Sequence, residues 1–283
     1  MGKEIVIDPV TRIEGHSKIT IRLDDKGSVD EAVFHVTQLR GFEKFVEGRP
    51  FHEMPSLMAR ICGICPVSHL VASAKACDML MSVRIPPTAV KLRRIINLAQ
   101  VAQSHALSFF YLSSPDLLLG MDAQVSERSL VGVARANPEL ARKGVRLRQV
   151  GQQIIEILGG KRIHPGWVVG GGVNNPLSKE HRDQILAMMP EAIKIADSIV
   201  AWFTNQLDRF KEEIAVFANF PSLYMGLVGE QGELETYDGW LRLVDDHGEA
   251  VVDRLKPEEY GTIISEAITL ESYVKSPYYK PLG

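Results

Sequence analysis

The chain has 283 residues, of which 45% are hydrophobic, and its 32 basic and 35 acidic residues give a formal net charge of -3. A chain of this length and composition can bury one large core or two ordinary ones, which excludes a disordered or repetitive protein. The nearly balanced charge gives no electrostatic reason to expect nucleic acid or an anionic membrane as a partner.

The first residues show no pattern of an export signal. Met1-Gly2-Lys3 leads directly into strand-like sequence, without the apolar core that follows the basic start of a signal peptide. No uncharged stretch approaches the length that is needed to cross a bilayer. These features predict a cytoplasmic protein without a transmembrane segment.

The chain opens with strand patterns. Residues 4–8, 17–23 and 29–36 are rich in β-branched side chains or alternate apolar with polar side chains. The Asp-Asp-Lys-Gly sequence at 24–27 suits a hairpin turn. We therefore predict an antiparallel sheet within an N-terminal β region that covers residues 1–53.

Helical patterns dominate residues 54–220. Pro66 fits the first turn of one helix, and the Pro-Pro-Thr sequence at 86–88 begins the next. From Leu92 to Phe110, apolar residues recur at spacings of three and four, which indicates a long buried helix.

Two further helical patterns cover residues 122–159 and 178–218, so the centre of the chain is predicted to be a bundle of long helices. Between them, residues 159–172 are rich in glycine, which predicts a loop over closely packed backbone. This loop is not a phosphate cradle, because Ile155 and Arg162 occupy positions where the Walker pattern needs glycine and serine or threonine.

The last part of the chain, residues 221–283, returns to strand patterns. Short alternating segments between Leu223 and Val252 predict hairpins, followed by an irregular tail. The sequence thus predicts a mainly helical α+β protein: a β region at 1–53, a helical core at 54–220 and a smaller β-containing segment at 221–283, integrated into one subunit.

The clearest chemical signal is a pair of cysteines with two residues between them. Cys62 and Cys65 lie just before a predicted helix, so their thiolates can converge on one ion or cluster. Arg60 and the helix N-terminus lower the energy of the charged form. The spacing leaves zinc or iron-sulfur binding, redox chemistry, a soft-metal site and structural cysteines open. Cys77 has small apolar neighbours in a helical pattern, and we expect it in the core.

His69 and Glu14 are further candidates. If a helix begins near Pro66, His69 can donate a hydrogen bond to a cysteine sulfur; a satisfied buried histidine is the alternative. Glu14 lies in a predicted turn with Arg12 and His16 on either side. It is either part of a surface ion pair or, if partly buried, a proton relay, and the pattern does not choose.

Two motifs resemble those of a known family. Residues 8–16, Asp-Pro-Val-Thr-Arg-Ile-Glu-Gly-His, resemble the N-terminal signature of nickel-iron hydrogenase large subunits. Residues 60–69, Arg-Ile-Cys-Gly-Ile-Cys-Pro-Val-Ser-His, resemble the first metal-binding signature of that family. The Arg-Gly-Phe-Glu at 40–43 and the His-Pro and Gly-Gly pairs within 164–171 also fall where the family has comparable motifs. The resemblance therefore covers essentially the whole chain.

The resemblance implies roles for individual residues. It implies that Cys62 is a terminal nickel ligand and that Cys65 bridges nickel to an iron with diatomic ligands, which makes Cys65 catalytic. It implies that Glu14 begins the proton route and that Glu43 binds a magnesium ion. Four further residues are implied to surround the metal site: His69 as donor to the bridging thiolate, Arg60, His16 and Asp116.

The implied activity is the reversible, heterolytic oxidation of hydrogen. Soft thiolates suit nickel and low-spin iron, and cleavage of hydrogen releases a proton that a nearby base must accept. Three cysteines are too few to hold iron-sulfur clusters as well, so electrons would leave through a small iron-sulfur subunit.

Two segments indicate a subtype within this family. Residues 59–69 and the tail 272–283 look most like the cytoplasmic, bidirectional, NAD-linked hydrogenases. This subtype implies that one partner is a flavin-containing diaphorase subunit, because these residues contain no dinucleotide fingerprint and bind no nicotinamide themselves. Maturation factors are also expected partners.

One feature departs from the family pattern. Family members carry a second Cys-x-x-Cys near their C-terminus, and these 283 residues contain none, so Cys62 and Cys65 supply two of four expected thiolates. Either the polypeptide is a truncated or separately encoded portion, or another chain supplies the missing half-site. We expect the isolated polypeptide to be unable to hold the full centre and to be inactive.

Proteins that share this ancestry offer two alternative functions. One is the quinone-site subunit of NADH:quinone oxidoreductase, which does not bind nickel; the intact Cys-x-x-Cys at 62 and 65 argues against it. The other is a maturation partner or a regulatory hydrogen sensor, which would keep the thiolates and show little turnover.

Overall fold

The computed structural model describes residues 3–283, which form two compact units. The terminal unit combines the residues up to Phe45 with Phe220–Gly283, and the central unit comprises Val46–Asn219. The two ends of the sequence therefore share one unit. The division into segments at 53/54 and 220/221 stays a prediction.

The described residues are mainly helical with several antiparallel sheets, which confirms the predicted α+β class. The strands are β1 (Glu4–Ile7), β2 (Ser17–Leu23), β3 (Val29–Val36), β4 (Val168–Val169), β5 (Gly172–Val173), β6 (Tyr224–Val228), β7 (Trp240–Val244), β8 (Ala250–Leu255), β9 (Ile264–Ile268) and β10 (Lys275–Tyr279). The α-helices are α1 (Phe42–Val46), α2 (Met54–Met58), α3 (Pro66–Leu80), α4 (Pro87–Leu107), α5 (Ser114–Leu119), α6 (Leu130–Ala136), α7 (Pro138–Gly159), α8 (Lys179–Thr204) and α9 (Lys211–Val216).

The N-terminal antiparallel sheet is confirmed, with the strand order β1-β2-β3. Its second turn forms because Asp24 Oδ1 accepts hydrogen bonds from the backbone N–H groups of Lys26 at 2.9 Å and Ser28 at 2.8 Å. Gly27 in this turn has a φ of +83°, a conformation that glycine adopts without steric cost.

Backbone and side-chain hydrogen bonds join the N-terminal sheet to the C-terminal part of the terminal unit. Val36 in β3 donates its N–H to Ser272 Oγ at 3.0 Å and accepts the N–H of Tyr273 at 3.0 Å. His35 Nδ1 lies 2.8 Å from the carbonyl oxygen of Glu271. These bonds satisfy polar backbone groups beside β3, and they connect segments that lie 236 residues apart.

The predicted hairpins between Leu223 and Val252 are confirmed by a sheet with the order β6-β7-β8. The prediction of an irregular tail was wrong, because β9 and β10 form a second antiparallel pair. Pro277 lies within β10 opposite Glu266. A proline weakens a strand pattern, yet it is tolerated at the edge of a sheet, where its missing N–H breaks no ladder.

The helical centre follows the sequence pattern with two corrections. Helices α3 and α4 begin at Pro66 and Pro87, as predicted. The predicted helix over 122–129 was wrong: Gly120, at a φ of +97°, ends α5, and the next helix begins only after Ser129, whose side chain caps α6. The pattern over 178–218 is one long helix, α8, followed by the short helix α9.

The buried face of α4 differs from the face that apolar spacing predicted. Ile96 and Ala99 are buried as expected, but Ile95 is exposed. Polar side chains take up much of the buried surface: Arg93, Asn97, Gln100 and Gln103. Because hydrophobic periodicity gives no weight to polar residues, it could not identify this part of the core.

The glycine-rich stretch between α7 and α8 contains the β4–β5 hairpin and is closely packed, as predicted. A Cβ atom at Gly170 would lie 2.9 Å from Met81 Cε and 3.1 Å from Cys77 Cβ. A larger residue at position 170 would require the side chains of Met81 and Cys77 to shift. None of the helices in residues 3–283 is long and apolar enough to cross a membrane.

Candidate metal centre

The Cys-x-x-Cys motif occupies the junction between a 3-10 turn at Ala59–Ile61 and helix α3. Cys62 has extended backbone, and Cys65 is the residue that immediately precedes α3. The sulfur atoms of both cysteines and a ring nitrogen of His69 all lie within 4.8 Å of one another. Among the described residues, these three side chains form the cluster of donor atoms that could hold a metal ion.

The three donor groups lie at different depths. Cys62 is buried, whereas Cys65 and His69 are half-buried. Burial lowers the pKa of His69 below its ordinary value, because desolvation disfavours the charged ring. A neutral imidazole carries one N–H group and one free lone pair, so it can donate a hydrogen bond to a thiolate or ligate a metal.

Hydrogen bonds hold the loop between the two cysteines. The backbone N–H of Cys65 donates to Cys62 Sγ at 3.1 Å. The carbonyl oxygen of Ile64 accepts the side-chain Nε2–H groups of Gln100 at 2.7 Å and Gln103 at 2.8 Å. Sequence reasoning missed both glutamines, although their spacing of three residues on a predicted helix would have placed them on one face.

The 3-10 turn before Cys62 has its own anchor. His164 Nδ1 lies 2.8 Å from the carbonyl oxygen of Ala59. His164 has a φ of +53°, and it belongs to the His-Pro segment that the sequence singled out at 164–171. This contact fixes the backbone next to Arg60, whose own side chain is exposed.

Asp116 lies in the first turn of α5 and is half-buried. Its Oδ1 atom lies 3.4 Å from Nε of Arg128, in the segment that precedes α6. The ion pair ties two successive parts of the central unit together. A role of Asp116 beside the metal site stays a prediction, as it does for Arg60.

The terminal unit holds the other predicted site residues. Glu14 and His16 are exposed on the connection between β1 and β2, where Gly15 has a φ of +79°. The partial burial expected of a proton-relaying carboxyl is thus not seen at Glu14 in the described chain. Its role as a proton relay, and that of His16 near the metal, stay predictions.

Glu43 lies in α1 and is exposed. The N–H of its own backbone and the guanidinium of Arg40, with which it forms an ion pair, hold the pKa of its carboxyl below the ordinary value. Glu43 is therefore a carboxylate at neutral pH, which is the form that a magnesium ion binds. Magnesium binding itself stays a prediction.

Cys77 is a core residue, as predicted. Its side chain is 2% exposed, and its Sγ–H donates to the carbonyl oxygen of Phe51 at 3.3 Å. Burial, followed by the negative charge of Asp78, raises the pKa of this thiol. Cys77 is thus a neutral, buried thiol rather than a third metal-binding cysteine.

The donor set fits a soft transition metal. Two sulfur atoms and one imidazole nitrogen converge in the central unit, and thiolates with imidazole suit nickel, iron and zinc.

Comparison with protein families identifies the motif. Residues 4–39 match a HoxH family model described as HoxL-like, and residues 40–128 match the nickel-dependent hydrogenase family. The second match contains Cys62, Cys65 and His69.

Similar proteins align along the whole chain. It is 42% identical over 283 residues to a vhu-type F420-non-reducing hydrogenase polypeptide of Methanocaldococcus jannaschii, covering 100% of this chain and 67% of that protein. It is 41% identical to the beta polypeptide of the NAD-reducing hydrogenase HoxS of Cupriavidus necator, covering 100% of this chain and 60% of that protein. The 283 residues thus span about two thirds of these relatives' length.

Solved structures agree with these relatives. An NAD+-reducing NiFe-hydrogenase in the H2-reduced state superposes with a TM-score of 0.96 and 44% identity, over 99% of this chain and 62% of that chain. The NiFeSe-hydrogenase of Dm. baculatum, at 20% identity and a TM-score of 0.79, shares the fold. The chain belongs to the nickel-dependent hydrogenase family and corresponds to its large subunit, with NAD-reducing enzymes among its relatives.

Proposed function

We propose that the protein containing this chain catalyses the reversible oxidation of hydrogen at a nickel-iron centre. The observation that carries the proposal is the convergence of Cys62, Cys65 and His69 within 4.8 Å, in a chain 42% identical to a hydrogenase polypeptide. Two adjacent thiols at a loop-to-helix junction are what a soft-metal centre needs from this part of the chain.

In this proposal, some residues of this chain bind the metals and others transfer the proton. When bound, a nickel-iron centre supplies an open coordination position at which hydrogen is split heterolytically. Cys62 and Cys65 would hold the metals, with Cys62 on nickel and Cys65 between nickel and iron. His69, which burial keeps neutral, would donate its N–H to the bridging sulfur. Glu14 would then carry the proton away.

The remaining site residues have supporting roles in this proposal. Glu43 would bind magnesium through the carboxylate that Arg40 helps to keep charged. Arg60, His16 and Asp116 would line the surroundings of the metal ligands. Iron would carry diatomic ligands, as the resemblance to nickel-iron hydrogenases implies.

We further propose that a small iron-sulfur subunit takes the electrons, which then reach NAD through a flavin-containing diaphorase subunit. The support is the similarity to NAD-reducing hydrogenases, at 41% identity to the Cupriavidus necator protein and 44% to the solved structure. We also propose a cytoplasmic location, because the sequence most resembles the cytoplasmic, NAD-linked hydrogenases. Maturation factors would insert the metals.

The test is a chemical inventory of the purified assembly followed by two activity assays. We expect nickel and iron in the same complex, and the mass of each component would identify the chains present. Hydrogen should reduce both benzyl viologen and NAD. Reduction of viologen alone would indicate another electron acceptor, and slow turnover would indicate a hydrogen sensor. An assembly without nickel and without activity would contradict the proposal and favour a quinone-site relative.

Cysteine variants test the site itself. Cys62→Ser and Cys65→Ser should each abolish bound nickel and hydrogen oxidation, because a hydroxyl is a poor ligand for a soft metal. Cys77→Ala is the matched control, since Cys77 is buried against Phe51 and should affect stability rather than nickel content. Nickel retained in both serine variants would refute the assignment.

A further inference from the structure

Two glutamines of helix α4 bind one backbone atom of the Cys-x-x-Cys loop. Gln100 and Gln103 lie one turn apart on the same helix face, and their Nε2 atoms lie 2.7 Å and 2.8 Å from the carbonyl oxygen of Ile64. A carbonyl oxygen has two lone pairs, so these two donors satisfy it fully.

Both glutamine side chains are buried. Gln100 is 2% exposed and Gln103 is 3% exposed, and among the described residues the Oε1 atom of each has no hydrogen-bond partner. In residues 3–283, the only other buried side-chain polar atom in this state is Ser17 Oγ. Apolar side chains of similar volume would fill the same space but would leave the Ile64 carbonyl without these two donors. The specific contribution of the two glutamines is therefore the pair of hydrogen bonds to the Ile64 carbonyl.

The geometry of the peptide bond connects the glutamines to a metal ligand. The carbonyl of Ile64 and the N–H of Cys65 belong to the same planar peptide group. In a trans peptide the two groups point in opposite directions, and this N–H donates to Cys62 Sγ at 3.1 Å. Fixing the Ile64 oxygen therefore aims the Cys65 N–H at the Cys62 sulfur.

The residue before Ile64 does little to restrict this peptide group. A Cβ atom at Gly63 would have no described atom within 4 Å, so this side of its backbone is not packed against neighbours. A glycine in an open environment leaves its own backbone dihedral angles free, so Gly63 does little to fix the position of Ile64. The amides of Gln100 and Gln103 oppose movement of the Ile64 carbonyl.

Helix α7 holds one of the glutamines in place. A Cβ atom at Gly151 would lie 2.7 Å from the carbonyl oxygen of Ala99 and 2.7 Å from Gln103 Cβ. The backbones of α4 and α7 thus approach closely at Gln103, which restricts the position of its side chain. The support for the loop extends from α7 through α4 to the Ile64–Cys65 peptide.

We propose that Gln100 and Gln103 are positioning residues for Cys62: they hold the Ile64–Cys65 peptide so that its N–H donates to the Cys62 sulfur and tunes the metal bound there. Hydrogen bonds to the carbonyl also polarise the N–H of the same peptide, which strengthens its bond to sulfur. Donors to a thiolate ligand withdraw electron density and raise the reduction potential of the metal. This inference rests on the proposed role of Cys62 as a nickel ligand.

The test compares Gln100→Met, Gln103→Met and the double variant in the purified assembly. Methionine keeps the volume and removes both the donor and the unpaired oxygen. We expect full nickel content in all three variants. The midpoint potential of the nickel signal in electron paramagnetic resonance should fall slightly in each single variant, which retains one donor. It should fall by more than the sum of these shifts in the double variant.

The control is Gln153→Met on α7, which removes a glutamine that accepts a hydrogen bond from Arg146 instead of contacting the loop. Its nickel potential should equal that of the parent protein. A double variant with full nickel content and an unchanged potential would overturn the proposal, because a merely structural role would change stability without changing the potential.

A second measurement does not depend on metal. In the metal-free assembly, amide hydrogen exchange of Cys65 should be slow in the parent and faster by an order of magnitude or more in the double variant, or in the single variants if the double variant does not fold. Unchanged exchange would overturn the proposal. If the parent binds no nickel, the proposed function fails, yet this exchange measurement still decides whether the glutamines hold the peptide.

Discussion

Arg93 and Asp78 form a buried ion pair that fastens the β4–β5 hairpin to helices α3 and α4. Arg93 is 0% exposed, and its Nη1 atom lies 2.6 Å from Asp78 Oδ2. Arg93 also donates to the carbonyl oxygens of Gly172 at 3.0 Å and Val169 at 2.6 Å. The backbone N–H of Gly171 donates to Asp78 Oδ1 at 2.6 Å. Both charges are therefore compensated within one network.

Replacing Arg93 should destabilise the protein strongly. In Arg93→Met, the Asp78 carboxylate loses its charged partner and keeps only the Gly171 N–H, and two hairpin carbonyls lose the Arg93 donor. Removing one member of a buried pair typically costs about 3–5 kcal/mol. Urea unfolding followed by circular dichroism measures this loss. The control is Arg182→Met, which removes an exposed pair with Asp183 and should cost about 0–1 kcal/mol. Equal losses in the two variants would contradict the role given to the buried pair.

Substitution of Gly151 should also reduce stability. The new Cβ atom of Gly151→Ala would lie 2.7 Å from the carbonyl oxygen of Ala99, and backbone cannot move aside cheaply. We expect a loss of about 1–3 kcal/mol from overpacking, reduced by up to about 1 kcal/mol through the better helix propensity of alanine. Thermal unfolding provides the measurement. Gly166→Ala, where the added Cβ would meet no atom of the described residues within 4 Å beyond its chain neighbours, should change the midpoint little. A stabilised Gly151→Ala variant would refute the tight packing.

Cys77 should resist alkylation in the folded protein. Burial and the charge of Asp78 raise the pKa of its thiol, so little reactive thiolate is present at neutral pH. Iodoacetamide treatment at neutral pH, followed by peptide mass spectrometry, should leave Cys77 unmodified until the protein is unfolded with urea. Modification of Cys77 at the same rate before and after unfolding would show that the thiol is accessible.

The contact between Arg146 and Glu191 should make stability depend on acid pH. The hydrogen bonds from Arg146 in α7 hold the pKa of Glu191 in α8 below its ordinary value of 4.5. The contribution of this ion pair to the free energy of unfolding is therefore complete above about pH 4.5. It is lost as the pH falls through the lowered pKa of Glu191 in the folded state. Urea midpoints of the parent protein should fall more steeply with acidification than those of Glu191→Gln.

Arg146→Gln should show the same reduced slope, because either substitution removes the interaction. A parent and a Glu191→Gln variant with identical pH profiles would rule out this contribution. Because the pair is largely exposed, it contributes little to the absolute stability. The measurement that tests it is therefore the change of the urea midpoint with pH.

Local patterns in the sequence predicted several elements correctly. Pro66 and Pro87 marked the beginnings of α3 and α4, because proline suits the first helical turn. The Asp-Asp-Lys-Gly turn at 24–27 marked the first long hairpin through side-chain bonds to its own backbone. In contrast, β10 was missed, because Pro277 obscured a strand that lies at a sheet edge.

Three features could be predicted from the sequence: the family, the Cys62 and Cys65 pair, and the position of His69 one helical turn beyond it. These features depend on residue type and short spacing, which a helix or turn converts directly into geometry. Two other features became visible in the packed helices: Gln100 and Gln103 bind the Ile64 carbonyl, and Arg93 is buried beside Asp78. Partners of buried polar groups come from segments distant in sequence, so their pairing depends on how helices pack and not on any local pattern.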